Sequence, residues 1–265
     1  AEVCAALHVT TLPHSKEFFS KTHSPGGRQW QEGFRFLRIS RVGGTSMQYI
    51  LNREFQADRP MLRVQNFASY RWIALFRDPV ARLASVYWQR INGESDKTST
   101  FMRWQLELCK KKTGKAYKCR CRPKVSLYDF AMGLASYKPK KNLQWFCLAG
   151  PEAPSCSETD IWKILLKHFW LAAPMSRLLE VQVLMVDGLD LSSWLMTNPV
   201  HYTNGSHPPF QESLDKTELE TLEEAHACDV KLVQAAQGFM SQLVFEYGGE
   251  RMKTNLAKLQ QPEDR

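Results

Sequence analysis

Residues 34–46 read FRFLRISRVGGTS. A run with the apolar content of a buried strand stops and gives way to arginine, two glycines and a Thr-Ser pair. Glycines let a backbone approach an oxyanion closely, and a helix that follows offers free N–H groups and the positive end of its dipole. Thr45 and Ser46 add hydroxyl donors and Arg41 adds full charge, so the turn Ser40-Arg41-Val42-Gly43-Gly44-Thr45-Ser46 suits a bound anion. Without a ligand it is simply a glycine turn joining strand to helix.

The same arrangement recurs downstream. A second strand is expected at 71–76 (RWIALF), ending in Arg77-Asp78-Pro79. A helix follows, with Val80, Leu83, Ala84, Tyr87 and Ile91 on its apolar side and proline where no backbone donor is needed. At 100° per residue from Val80, Arg82 falls near 200° and Ser85 near 140°, away from the expected core. Arg77, Arg82 and Ser85 therefore form a second candidate anion site. In open α/β sheets ligands sit beyond the carboxyl ends of strands, where both turns lie.

Working outward, residues 1–33 are polar and irregular. The helix after the first turn is expected over about 46–56, with Met47, Ile50, Leu51 and Phe55 on one face. Residues 93–125 read as a basic, cysteine-bearing insertion (CKKKTGKAYKCRCRPK at 109–124). Helices are expected at 126–136 and 158–171, and a third buried strand at 179–186 (LEVQVLMV). The pattern ELETLEEAHACDVKLVQAAQGFM closes a single domain over 34–250, and 251–265 reads as a polar tail. Strands alternating with helices predict an α/β fold with a parallel sheet flanked by helices on both faces.

Composition narrows the partners. The chain has 265 residues, 43% hydrophobic and 23% charged, as a globular protein does. Its net charge is +8 and its pI near 9.1, which favours an acidic partner. The most apolar stretch, DIWKILLKHFWLAAPM, is interrupted by Lys163, Lys167 and His168 and reads as an amphipathic helix. A targeting or anchoring piece is expected upstream of Ala1. The seven cysteines (4, 109, 119, 121, 147, 156 and 228) show no zinc spacing. They are either free thiols or disulfides, with Cys147–Cys156 and Cys109 with Cys119 or Cys121 as the pairings considered. Asn204-Gly205-Ser206 is a glycosylation sequon, which leans toward the secretory pathway.

The two turns resemble those of sulfotransferases that use 3′-phosphoadenosine-5′-phosphosulfate (PAPS), especially the Golgi carbohydrate enzymes. The family's first motif approximates Pro-Lys-x-Gly-x-Thr-Ser, its second Arg-Asp-Pro-x-x-Arg-x-x-Ser-x-Tyr. RDPVARLASVY at 77–87 matches the second at every specified position. KNLQWFCLAG at 141–150 is similar to a family segment N-x-Q-x-x-x-L-x-G. VLMVDGLDLSSWL at 183–195 is similar to a strand and turn often written with Glu where Asp187 stands. The resemblance spans roughly 34–245 and implies a P-loop-like fold. It also implies that Arg41, Val42, Gly43, Gly44, Thr45 and Ser46 hold the 5′-phosphosulfate and that Arg77, Arg82 and Ser85 hold the 3′-phosphate. PAPS would be the co-substrate, with no metal required.

The family lysine is replaced by Arg41 and the proline by Ser40. Arginine keeps charge and donors but hardly releases a proton, so leaving-group stabilisation survives and general-acid help does not. Glu54, His201 and His207 are the candidates for the general base. The expected acceptor is a glycan, anionic or neutral, in the Golgi lumen, and the basic stretch 110–124 is a candidate polysaccharide contact. Tyr117 is the only aromatic residue within that stretch, so a nucleic-acid partner is not expected. Two other readings stand beside this one. A P-loop kinase would need lysine where Thr45 stands, and a non-catalytic polyanion binder would need no paired strand-end turns.

Overall fold

In a computed structural model of the chain, the described residues are 4–9, 34–39, 42, 47, 71–91, 126–135, 141–149, 156–188 and 214–260. Four strands form one sheet in the order β1 (Cys4–Val9), β2 (Phe34–Ile39), β3 (Arg71–Phe76), β4 (Phe169–Pro174). The last three run parallel, and β1 lies antiparallel to β2. The α/β class with a parallel sheet is therefore present, with an antiparallel strand added at one edge.

Consecutive buried residues explain why β3 after Arg71 and β4 read as unbroken apolar runs. Trp72 to Phe76 of β3 and all six residues of β4 are buried, so both faces of each strand are covered. Between these strands Trp72 stands opposite Phe169 and Ile73 opposite Leu171, which leaves Trp170 as an extra residue in a bulge.

The helices are α1 (Pro79–Ile91), α2 (Leu127–Ala135), α3 (Leu143–Ala149) and α4 (Glu158–His168). After β4 and a short 3₁₀ turn come α5 (Leu178–Gly188), α6 (Lys216–Ala225), α7 (Ala227–Tyr247) and α8 (Gly249–Gln260). The longest, α7, packs against β3, β4, α3, α4 and α8. Its buried Leu232, Ala236, Phe239, Leu243 and Tyr247 repeat at the spacing of one helical face. Gly238 lets α4 come close: a Cβ there would stand 3.1 Å from Trp162 Cζ2. Gly248, at φ +99°, ends α7 in the left-handed region, where glycine bears no steric penalty.

Several expectations are corrected. Residues 179–186 are not a strand but most of helix α5. Leu178, Val181, Gln182, Val183, Leu184, Met185 and Val186 are all buried, and a helix covered on every side has no polar face to reveal its period. The strand in this part of the sheet is β4 instead. The helix expected over 158–171 ends at His168, and Phe169 enters the sheet directly. The irregular N-terminal segment contains β1. The polar tail contains most of α8, whose buried Met252 and Leu259 and half-buried Leu256 dock it on the core. The closing helical pattern is interrupted at His226 and forms two helices. Of the helix expected over 46–56 only Met47 is among the described residues, and it is helical and buried. The insertion at 93–125 lies outside them.

A disulfide joins Cys156, just before α4, to Cys228 in the first turn of α7, with Cα atoms 5.4 Å apart. This excludes the Cys147–Cys156 pairing, and Cys147 is itself disulfide-bonded. The bridge closes a loop of 72 residues, long enough to restrict the unfolded chain substantially. Replacing both partners, Cys156→Ala with Cys228→Ala, should lower stability by about 2–4 kcal/mol, read as a lower midpoint in urea.

Candidate functional site

The polar residues at the carboxyl end of β3 are set by three helix starts that meet there. Asp78 begins α1: its Oδ1 accepts the Ala81 N–H at 2.7 Å, and Pro79 follows where a missing N–H costs nothing. Asp229, in the first turn of α7, reaches across to the start of α3. Its carboxylate accepts the N–H groups of Trp145 at 2.8 Å and Gln144 at 3.3 Å. Asn142, one residue before α3, returns the arrangement: its Oδ1 accepts the N–H groups of Cys228 at 3.1 Å and Asp229 at 3.3 Å. Each helix thus caps the other. Asn142 has a φ of +50° there, a conformation that asparagine tolerates better than most residues.

Gln144 ties this knot to the strand-end turn. Its Oε1 accepts the Arg77 N–H at 2.8 Å, and its Nε2 donates to the Arg77 carbonyl at 2.7 Å. A side-chain amide therefore pairs with Arg77 much as a neighbouring strand would. The segment similar to N-x-Q gains a physical meaning here: Asn142 caps α7 and Gln144 holds Arg77.

Arg82 departs from the sequence expectation. It was expected on the face turned away from the core, yet it is 3% exposed. The apolar side of α1 does pack as expected: Val80 and Leu83 meet Ala131 of α2 and Leu222 of α6. Arg82 instead lies within electrostatic reach of Asp229 and His226 at the junction of α3 and α7, which is some 60 to 150 residues later in the chain. Burial lowers the pKa of the Arg82 guanidinium, the Asp229 charge opposes that shift, and the Arg77 charge adds to it. Arginine stays protonated through such shifts. Its Nε is buried with no hydrogen-bond partner. Arg77 and Ser85 are half-buried and Lys141 is exposed.

Burial also pushes the Asp229 carboxyl up, while Arg82 and the two backbone N–H groups pull it down. His226 is fully buried and its Nδ1 accepts the Asn142 N–H at 3.3 Å. Burial lowers its pKa to about 4, and the charges of Arg82 and Lys141 act in the same direction. The ring is neutral with its proton on Nε2, and that nitrogen is buried without a partner. Four of the five buried polar or charged side chains among the described residues (Arg82, Gln144, His226 and Asp229) thus belong to this junction.

At the first turn, Val42 is buried, while Arg41, Gly43, Gly44, Thr45 and Ser46 lie outside the described residues. So do Glu54, His201 and His207. Tyr87 packs its ring on Trp88 and Phe130, with centroids 5.1 and 5.5 Å away, which accounts for the final tyrosine of the second motif as a packing residue. Asp187 stands at the end of α5 rather than on a strand and turn. It accepts hydrogen bonds from Tyr247, at 2.8 Å, and from Arg251, holding α5 to the junction of α7 and α8. Asp229 and His226 were not foreseen. An acid in a first helical turn is common, and no local pattern discloses that it serves another helix. Among the described residues no cluster of His, Cys, Asp or Glu could hold a metal ion, and no helix is long and apolar enough to cross a membrane. No protein-family model, curated protein or solved structure matches the chain.

Two outcomes follow from the junction. Asp229→Ala removes the cap of α3 and, among the described residues, the acid acting on buried Arg82, and should cost about 3–5 kcal/mol in a urea titration. His226 has a folded pKa of about 4 against an ordinary 6.5, so below 6.5 the unfolded chain takes up a proton that the folded chain refuses. Its contribution is intact above pH 6.5 and is lost as pH falls towards 4, up to about 3 kcal/mol. The fall in stability over that window should be shallower in His226→Gln.

Proposed function

We propose that the protein is a PAPS-dependent sulfotransferase that moves a sulfuryl group to an acceptor hydroxyl on a glycan. The observation that carries this reading is the buried Arg82 guanidinium, whose Nε has no hydrogen-bond partner, beside Arg77 at the carboxyl end of a parallel strand. A buried guanidinium N–H without an acceptor is costly, and a phosphate oxygen is an acceptor that would relieve it. The position past a strand end is where α/β sheets bind ligands, and residues 77–87 carry every specified residue of the family's second motif.

In this reading Arg77, Ser85 and Arg82 hold the 3′-phosphate, Arg82 through the Nε that has no partner in the protein. Arg41, the backbone N–H groups of residues 43–46 and the Thr45 and Ser46 hydroxyls hold the 5′-phosphosulfate. The acceptor oxygen attacks sulfur in line. As the new S–O bond forms, the bond between sulfur and the bridging phosphate oxygen breaks, and the electron pair leaves with adenosine 3′,5′-bisphosphate. The acceptor proton passes to a base. Catalysis of this kind is mostly positioning and stabilisation of the departing charge, as in phosphoryl transfer. Arg41 supplies charge there and no proton. The finer fold that goes with this chemistry is a P-loop-like sheet with helices on both faces. The Cys156–Cys228 bridge supports an oxidising compartment, in keeping with the Golgi lumen.

Adenosine 3′,5′-bisphosphate at about 100 times its dissociation constant should stabilise the protein by ~2.7 kcal/mol, visible as a raised melting temperature. Arg77→Ala should weaken that binding about 10- to 100-fold, the loss expected for charge-assisted hydrogen bonds. Absence of any shift with the wild-type protein would refute the assignment. Incubation with radiolabelled PAPS and a panel of glycans then identifies the acceptor.

A further inference from the structure

We propose that Gln144 is a positioning residue that sets the protein's preference for a nucleotide bearing a 3′-phosphate, by fixing the backbone from which Arg77 projects. The inference rests on the sulfotransferase reading above and goes beyond it, because the side chain acts through the Arg77 main chain rather than on the nucleotide.

The geometry is specific. Gln144 is fully buried, and both ends of its amide bond one residue, the N–H and the carbonyl of Arg77, while the side chain also interacts with Asp229. Arg77 follows the last residue of β3, so its main chain has left the ladder that orders the preceding residues. Two hydrogen bonds from a rigid partner replace that ladder for one more residue. Gln144 is itself rigid, since its backbone N–H donates to Asp229, and Asp229 belongs to the reciprocally capped pair of helices. Cys228, next to Asp229, is covalently fixed to Cys156. A chain of short contacts thus runs from the disulfide through Asp229 and Gln144 to Arg77. A guanidinium fork recognises phosphate by direction as well as charge, so a displaced main chain loses selectivity before it loses charge.

The test compares wild type with Gln144→Met, which deletes both bonds, and Gln144→Asn, which stays polar but is too short to span them. Two quantities are measured on each folded protein. One is the dissociation constant for adenosine 3′,5′-bisphosphate and for adenosine 5′-monophosphate, which lacks the 3′-phosphate. The other is amide hydrogen exchange at Arg77, with residues 235–243 of α7 as the internal reference. The expected result is faster exchange at Arg77 with the α7 reference unchanged. Bisphosphate binding should weaken about tenfold while monophosphate binding stays within about twofold. Should the methionine variant not fold, the asparagine variant decides. Faster exchange at Arg77 with the bisphosphate preference intact would reduce Gln144 to a purely structural element and overturn the proposal. Unchanged exchange at Arg77 in the folded variants would overturn it too. If wild type itself shows no preference for the bisphosphate, the sulfotransferase reading falls and this inference with it, an outcome seen before any variant is made.

Discussion

Two helix starts that satisfy one another hold this structure's polar centre together. Every helix begins with N–H groups that have no partner within it, and burying them unpaired costs as much as a lost hydrogen bond. Here the groups of α3 are met by Asp229 and those of α7 by Asn142. Neither helix could be buried at this point without the other. Because α7 also carries much of the hydrophobic face that closes over β3 and β4, the polar junction and the apolar core are assembled together.

This arrangement also explains how a charged side chain comes to be buried on α1. Arg82 lies between an apolar contact with α2 and α6 on one side of its helix and the carboxylate of Asp229 on the other. Asp229 is already engaged by two backbone N–H groups, so its charge serves both helix and guanidinium. The Nε of Arg82 is left buried without a hydrogen-bond partner.

Much of the sequence motifs is taken up by structural duties. In RDPVARLASVY, Asp78 and Pro79 start the helix, Tyr87 packs on aromatic neighbours, and Arg82 is buried at the junction. Arg77 has its main chain tied to Gln144, and Ser85 is half-buried one turn beyond Arg82 on α1. In KNLQW the asparagine and glutamine connect remote elements. A linear motif records the association of such residues without distinguishing those that touch substrate from those that place the others.

From the amino-acid sequence by itself, β2, β3, α1 and α2 could be read, because their periods and punctuation are local: an apolar run ending at arginine or proline, and an apolar stripe repeating every three to four residues. The cationic strand end at Arg77 was legible for the same reason. Tertiary structure alone decided that LEVQVLMV is a helix, that FWLAAP is a strand and that residues 249–260 dock on the core. Segments buried all round, or on a narrow stripe, lack the polar contrast that a period needs. It alone placed Asp229, His226 and Gln144 around Arg77 and Arg82. Their partners are 67 to 87 residues distant along the chain, and nothing in a local pattern of residues carries the direction of a hydrogen bond between helices so far apart.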